Sequence, residues 1–506
     1  MSPLSIGLAL FCVVAFAFLN YVFGYWKRRG VRQLTPFFPF GNFTEVFLGK
    51  ASFPKGCENI YERSKQWRLV GGYILLRPVL FVNDPQLTKD IMVRDFQHFH
   101  DRGPHVDEVN DPLSGHLFSL AGEKWKHLRA KLTPTFTSGK LKGMFQILVD
   151  TGVVLQDYIQ KHADNEDVVE IREILACYNT DSIASVAFGI KIDSINNVNE
   201  PFRQIGRKVF EPSFRNGMRF LITFMVPKLN KYLKIKSVDD DVERFILDVV
   251  RETLEYREKN GVTRKDMMQL LLQLRNTGTV SIDERWDVDT TSKYKNLSLE
   301  EVAAQAHVFF IAGFETSSTT MSFCLYELAK NPSIQRKVQE EVDSVMECHG
   351  GKLTYEGIME MRYLECCIDE TLRKYPAVPV LNRECTQDYK VPDSDFVIEK
   401  GTAVVLQIGG MQHDPQYYPD PMRFDPERFR DPDVKNKPYA PFGDGPRICI
   451  GMRMGKIQTK VGLSLLLSKF SFELFGHEEP ELIMDTNNFV PMPVSGINLK
   501  VSGRGW

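Results

Sequence analysis

Phe442-Gly443-Asp444-Gly445-Pro446-Arg447-Ile448-Cys449-Ile450-Gly451 sets a single cysteine among three glycines, a proline and an arginine. A sulfur ligand needs positive surroundings and backbone donors to stay ionised and available to a metal. The glycines allow close backbone approach, Pro446 removes a donor and fixes the chain, and Arg447 brings charge. The plain alternative is a buried structural cysteine in a turn. The remainder of the chain has to decide between them.

The 506 residues, 43% hydrophobic and 25% charged, have the composition of a folded globular protein, and large single-domain enzymes reach this length. A net charge of -2 supplies no excess of Lys and Arg for releasing counterions from a phosphate backbone, which argues against a nucleic-acid binder. Nine cysteines lie scattered, without the short intervals of zinc or iron–sulfur ligands, and point to a reducing compartment. Leu4 to Tyr25 carries no charge and is long enough to span a bilayer as a helix. Trp26 and then Lys27, Arg28 and Arg29 follow, reading as an interfacial aromatic and a cluster that stays cytoplasmic. A cleaved signal peptide is the competing reading; its basic residues would precede the apolar run.

Pro36, Pro39 and Gly41 then forbid a continuing helix and read as a stiff linker. Tyr73 to Leu76 and Val79 to Val82, divided by Arg77-Pro78, predict a hairpin, and Asn83-Asp84-Pro85 a helix start. From Gln86 to Arg373 the pattern is mainly helical, strongest over Val242 to Tyr256 and Ile334 to Val345, with a surface loop expected over 276–295. Ser298 and Glu301 have capping-box spacing and open a helix that runs to Asn331-Pro332. It would be about 30 residues, roughly 45 Å long. Beyond Tyr375, short strands and turns are expected, with one helix after Gly451. The fold class is mainly α with a minor β portion.

Within the long helix, Ala312-Gly313-Phe314-Glu315-Thr316-Ser317 gathers small residues, an acid and a hydroxyl in one turn. Gly, Ser and Thr weaken a helix, so a local opening there would seat a small ligand against the backbone. The alternative is small residues for helix crossing with Glu315 solvated. Glu370 and Arg373 share a helix face, and Arg428 follows before the cysteine loop; an exposed pair is the ordinary case. Trp125 and Arg129, at i and i+4, both present donors on one side. The alternative, and the commoner arrangement, is a core tryptophan beside a surface arginine.

Together these motifs resemble the cytochrome P450 family, whose cysteine loop is matched at Phe442, Gly445, Arg447, Cys449 and Gly451. The resemblance covers essentially the whole chain, in the family's order. It implies a cytochrome P450 fold with an N-terminal transmembrane helix, and a haem b (iron protoporphyrin IX) cofactor with Cys449 as its axial thiolate, a ligand that favours O–O cleavage. It further implies that Trp125, Arg129, Arg447 and, by order and distance, Arg383 bind the haem propionates, with Phe442 in the cofactor loop. Thr316 would steady dioxygen and Glu315 supply protons. Glu370, Arg373 and Arg428 would form a buried triad supporting the loop. The division implied is 1–26 as anchor, 27–45 as basic, proline-rich linker and 46–506 as haem-thiolate monooxygenase domain.

The stretches Leu132-Thr133-Pro134-Thr135-Phe136-Thr137 and His413-Asp414-Pro415 resemble the insect microsomal enzymes of family six, which implies detoxification of plant compounds and insecticides. The reaction implied inserts one oxygen atom of O2 into an apolar small molecule. No nicotinamide fingerprint is present, so NADPH would act through a separate NADPH-cytochrome P450 reductase, with cytochrome b5 as a further partner, at the cytosolic face of the endoplasmic reticulum membrane. Lys126, Lys131, Arg453 and Lys456 would offer the reductase a basic face. Candidate substrate contacts are Leu117, Phe118, Phe309, Phe310, Ala312, Val378, Pro379 and Val380, each with ordinary core as its alternative. Oxidation of an endogenous hormone or lipid, a haem-thiolate isomerase and a non-enzymatic carrier are the other classes in play.

Overall fold

The computed structural model describes residues 3–197, 199–211, 213–280, 286–287, 296–476 and 482–504. Helix α1 is Pro3–Phe23, and its stretch Leu4–Phe23 has mean hydropathy 2.4 with none of it buried against the protein. The central layers are helices: α2 Gly122–Leu132, α3 Ser138–Ala163, α4 Ile171–Ile183, α5 Pro227–Leu233, α6 Asp240–Asn260, α7 Leu299–Lys330, α8 Arg362–Lys374 and α9 Met452–Lys469. The 32-residue α7 runs through the core with most of its side chains buried, and opens as its sequence predicts. Ser298 Oγ accepts the Glu301 N–H, and the Glu301 carboxylate accepts the Ser298 N–H in return.

Strands β1 Leu69–Ile74 and β2 Arg77–Val82 form the expected hairpin, but the turn falls at Leu75-Leu76, where Leu75 takes φ +54°, rather than at Arg77-Pro78. Further strands include β3 Val168–Glu170, β4 Leu381–Glu384, β5 Ala403–Leu406, β6 Phe470–Leu474 and β7 Asn498–Gly503, besides a two-residue pair, Tyr389–Lys390 with Val397–Ile398. One sheet runs β1-β2-β5-β4, with β2 and β5 parallel from Val79↔Ala403 to Val82↔Leu406 and β4 antiparallel to β5. A smaller sheet runs β3-β7-β6. Asp84 caps the short helix Pro85–Lys89 by accepting the Leu87 N–H.

Two expectations change here. Trp26 is not an interfacial aromatic. Its indole lies on Gly71, where a Cβ would fall 2.2 Å from the ring, and its Nε1 donates to Gly72 O at 3.0 Å, leaving the side chain 1% exposed. The glycines of β1 are therefore the seat of a residue 45 positions earlier. The segment read as a linker is likewise packed: Val31, Leu34 and Phe43 are buried, and Leu34 donates its N–H to Gly71 O. Trp26→Ala removes the indole and its hydrogen bond, and is expected to cost about 3 kcal/mol by denaturant unfolding of the detergent-solubilised chain. Of the expected loop over 276–295, most lies outside the described residues, but Trp286 is buried and its carbonyl accepts from Gln269 Nε2.

Candidate active site

The cysteine loop is shaped by its glycines and one aspartate. Gly443 and Gly445 take φ +72° and +67°, and a Cβ on Gly445 would lie 2.0 Å from Met92 O. Asp444 caps the following turn by accepting the Gly445 N–H, and the loop closes where Cys449 donates its N–H to Phe442 O at 2.8 Å. Phe442 itself is half-buried and packs against the helical core. Gly445→Ala faces both a left-handed backbone and a carbonyl that cannot yield. It is expected to cost about 3 kcal/mol in unfolding measurements, whereas Gly451→Ala, at φ -88° with its nearest neighbour 3.9 Å away, is expected to change stability little.

Burial raises the Cys449 thiol's pKa, opposed by backbone N–H groups of Gly451 and Met452 and by Arg102 and Arg129. Yet the residue presents accessible surface, and so does Ala312 on the core helix α7. Surface of that kind, ringed by protein, belongs to an interior wall. Helix α9 starts at this loop and lies against α7 beside Thr316: a Cβ on Gly455 would stand 3.9 Å from Ser317 Oγ. The space beside the cysteine loop is thus flanked by the helix that carries the Ala312-Thr316 turn.

Four guanidinium groups gather around that space. The Arg447 guanidinium stacks on the Trp125 ring at 3.9 Å, its Nε donates to His100 O at 2.8 Å and its Nη2 to Leu120 O at 2.9 Å. Burial lowers its pKa to about 9, and that of Arg383 to about 10. Arg383 is 2% exposed and among the described residues its Nε finds no partner. Arg129, half-buried on α2, is lowered by burial and raised by the nearby Cys449. The fourth, Arg102, was not foreseen. Burial and the charges of Arg383 and Arg447 push it well below the usual guanidinium range, while its Nη1 donates to Phe118 O and its Nη2 to Arg447 O. Its sequence context, Asp101-Arg102-Gly103-Pro104, marks a loop and gives no sign of its neighbours.

So many buried cations need anions, because an uncompensated buried charge costs several kcal/mol. Among the described residues the carboxylate beside them is Asp101, 3.6 Å from Arg447 Nη2 and already accepting the Gly122 N–H. A flat, apolar group with two carboxylates and a metal open to a sulfur ligand fits this donor set. Haem is such a group.

On α7 the expected local opening is absent. The helix is continuous, and Thr316 Oγ1 donates to Ala312 O at 2.6 Å. Gly313 serves helix crossing, since a Cβ there would meet Ile183 of α4 at 2.5 Å. Glu315 is not solvated either: it is 2% exposed and forms an ion pair with Arg172 Nη2 of α4. Gln305, nearly three turns earlier, holds the loop before α2, taking the Leu117 N–H at 2.9 Å and giving its Nε2 to Gly115 O at 3.2 Å.

The triad residues meet out of water. Arg373 and Glu370 side chains are 0% exposed and joined at 2.7 and 2.8 Å, with Arg428 Nε 3.4 Å from Glu370 in ion-pair range but not aligned as a hydrogen bond. Arg373 also donates to Gln412 O and Pro421 O, and Glu370 accepts the Asp425 N–H.

The substrate candidates divide. Phe118 is 42% exposed, edge-on to Phe224 at 6.0 Å, and Phe309 is half-buried against Phe136. Val378 and Pro379 are partly exposed. Phe310 is a correction: it is 0% exposed among Phe188, Phe202 and Phe314, on the opposite face of α7 from Ala312. Val380 packs in the sheet-side core with Val79 and Val405, and Leu117 lies in the central core. Lys456 is a second correction, because it is paired with Glu365 at 3.1 Å and Asp369 at 2.9 Å and is not free to serve a docking face. Lys126 and Arg453 remain exposed.

Residues 36–501 match the family model described as Cytochrome P450. Similar proteins include "Probable cytochrome P450 6d5" of Drosophila melanogaster, 42% identical over 96% of this chain and 97% of its own length. "Cytochrome P450 6d3" of Musca domestica is 40% identical over 97% of each chain, and "Cytochrome P450 6k1" of Blattella germanica 38% identical over 97% and 95%. Likeness of that extent, on top of a cysteine loop facing buried guanidiniums, makes this chain a member of the cytochrome P450 family, the haem monooxygenases.

Proposed function

We propose that the chain is a membrane-anchored monooxygenase of the endoplasmic reticulum, oxidising apolar foreign compounds such as plant toxins and insecticides with electrons from NADPH delivered by a separate reductase. The observation that carries this reading is Cys449 presented beside four guanidinium groups, two of them buried and two half-buried, at the start of a helix that packs against the Ala312-Thr316 turn. When bound, haem supplies oxygen activation at an iron held by a thiolate. Arg102, Arg129, Arg383 and Arg447 would neutralise its propionates, with Trp125 holding Arg447 in place. Ala312 leaves room at the helix surface. The Thr316 hydroxyl has one proton and spends it on Ala312 O; turning away from that carbonyl would let it donate into the site. Glu315, one position along the helix, is held as a carboxylate by Arg172 and would relay, rather than store, a proton supplied from water.

The wall offered by Phe118, Phe309 and Val378 favours ligands bound by area and shape. Family-six names among the relatives support foreign compounds as substrates. The unburied α1 supports anchoring, and Lys126, Lys131 and Arg453 are the cations left for a reductase or cytochrome b5. The test is oxygen-dependent product formation from furanocoumarins and neonicotinoids with reductase and NADPH present. Turnover without NADPH would instead indicate an isomerase, and binding without turnover a carrier. Thr316→Ala is expected to preserve the reduced carbon monoxide spectrum while lowering product formed by about 10²-fold. NADPH consumption should fall less, so the ratio of product to NADPH reports the hydroxyl's role.

A further inference from the structure

A cleft of about 560 Å³, within the roughly 300–1,000 Å³ of small-ligand sites, opens beside the foot of α1, on the outer side of Arg102 and Arg383, whose chain neighbours Gly103 and Glu384 line it. Its lining includes Tyr25, Arg77, Lys228, Lys231, Lys400 and Glu384, four cations to one carboxylate. Among the described residues, no carboxylate lies within ion-pair distance of the Lys228, Lys231 or Lys400 ammonium, and Glu384 acts on Lys228 only at longer range. Lys228 and Lys231 stand three apart on α5, hence on one face. Lys400 comes from the turn before β5, and that turn is fastened to the end of the apolar helix: Glu399 accepts from Arg29 Nη2 at 2.8 Å and from the Tyr25 hydroxyl at 3.3 Å.

The mouth of the cleft is therefore set where the chain leaves α1. Beside the two lysines, Leu229, Tyr232 and Leu233 of α5 are 40%, 82% and 53% exposed. Cations around a concave site with bare apolar side chains alongside suit a ligand that joins a phosphate to hydrocarbon. The geometry points to a binding site for the phosphate of an anionic phospholipid headgroup, held by Lys228, Lys231 and Lys400 with the acyl chains against Leu229, Tyr232 and Leu233. This inference rests on α1 being membrane-bound, which flotation of the full chain with vesicles tests by itself.

The site is tested by native mass spectrometry of the full-length holoprotein released from bilayers of phosphatidylcholine containing a minority of phosphatidic acid. Wild type is expected to retain one phosphatidic acid in preference to phosphatidylcholine. Retention should fall about fivefold for each of Lys228→Gln, Lys231→Gln and Lys400→Gln, and Lys234→Gln, just past the end of α5 and outside the cleft, should retain it fully. An unchanged carbon monoxide spectrum and unchanged flotation show that each variant is folded and anchored. Equal retention by the triple variant and wild type, or no preference over phosphatidylcholine, overturns the site. Displacement by inorganic phosphate at the same concentration as the lipid would assign the cleft to free phosphate and overturn the headgroup reading.

Discussion

Cys449→Ser is expected to abolish the long-wavelength Soret band of the reduced, carbon monoxide-bound protein and to lower monooxygenase activity by more than about 10³-fold, the scale of losing an indispensable group. The loop should survive the change. Its shape depends on Gly443, Gly445, Asp444 and the Cys449 N–H, none of which the substitution touches. Near-ultraviolet dichroism and unfolding midpoint are thus expected to stay close to wild type. In the metal-free chain burial favours the protonated thiol, and a metal ion reverses that balance because a coordinating thiol loses its proton outright. A serine hydroxyl is a far weaker acid and does not make that exchange. Retention of the long-wavelength band by the serine variant would mean that another group supplies the thiolate, and the reading of the loop would fall.

Arg373→Ala carries the largest expected loss of stability, about 3–5 kcal/mol, because it strands a buried carboxylate. Glu370 would keep Arg428 at 3.4 Å and the Asp425 N–H, while Gln412 O and Pro421 O would lose their donor. Against a total stability of about 5–15 kcal/mol, such a loss should reduce the yield of haem-loaded protein severalfold. Arg373→Lys keeps the charge without the two-pronged fork and is expected to cost about 2 kcal/mol. Haem content per chain and the denaturant midpoint check both variants. A cost below about 1 kcal/mol for the alanine variant would be that of an exposed pair and would contradict the burial described.

The contrast between that triad and its sequence explains much of what could be read in advance. Spacing three apart places Glu370 and Arg373 on one helix face, but whether water reaches the face depends on Gln412, Pro421 and Asp425, about 40 to 55 positions away. Features decided locally were legible: the capping box at Ser298, the hairpin, the glycine-shaped cysteine loop. Those decided by a distant partner were not. Trp26 looked interfacial because Gly71 was not known to lie beneath it, and Lys456 looked free because its acids sit on α8. Phe309 and Phe310 differ by one position, or about 100° of helix, and only packing tells which faces the aromatic core. Arg102 was missed for the same reason, as its neighbours Arg383 and Arg447 come from the far end of the chain.

Gln305 bears on how a ligand reaches Cys449. By offering a carbonyl to Leu117 N–H and an amide to Gly115 O, its side chain imitates the paired peptide groups of a strand, although 188 residues separate it from Leu117. The loop before α2 is thereby latched to the long helix at one point, however irregular its sequence. Traffic into the site would then pass to one side of that latch, past Phe118 and Phe224, rather than between loop and helix. Diversity in what the enzyme admits is best sought in those two side chains, with the latch left alone.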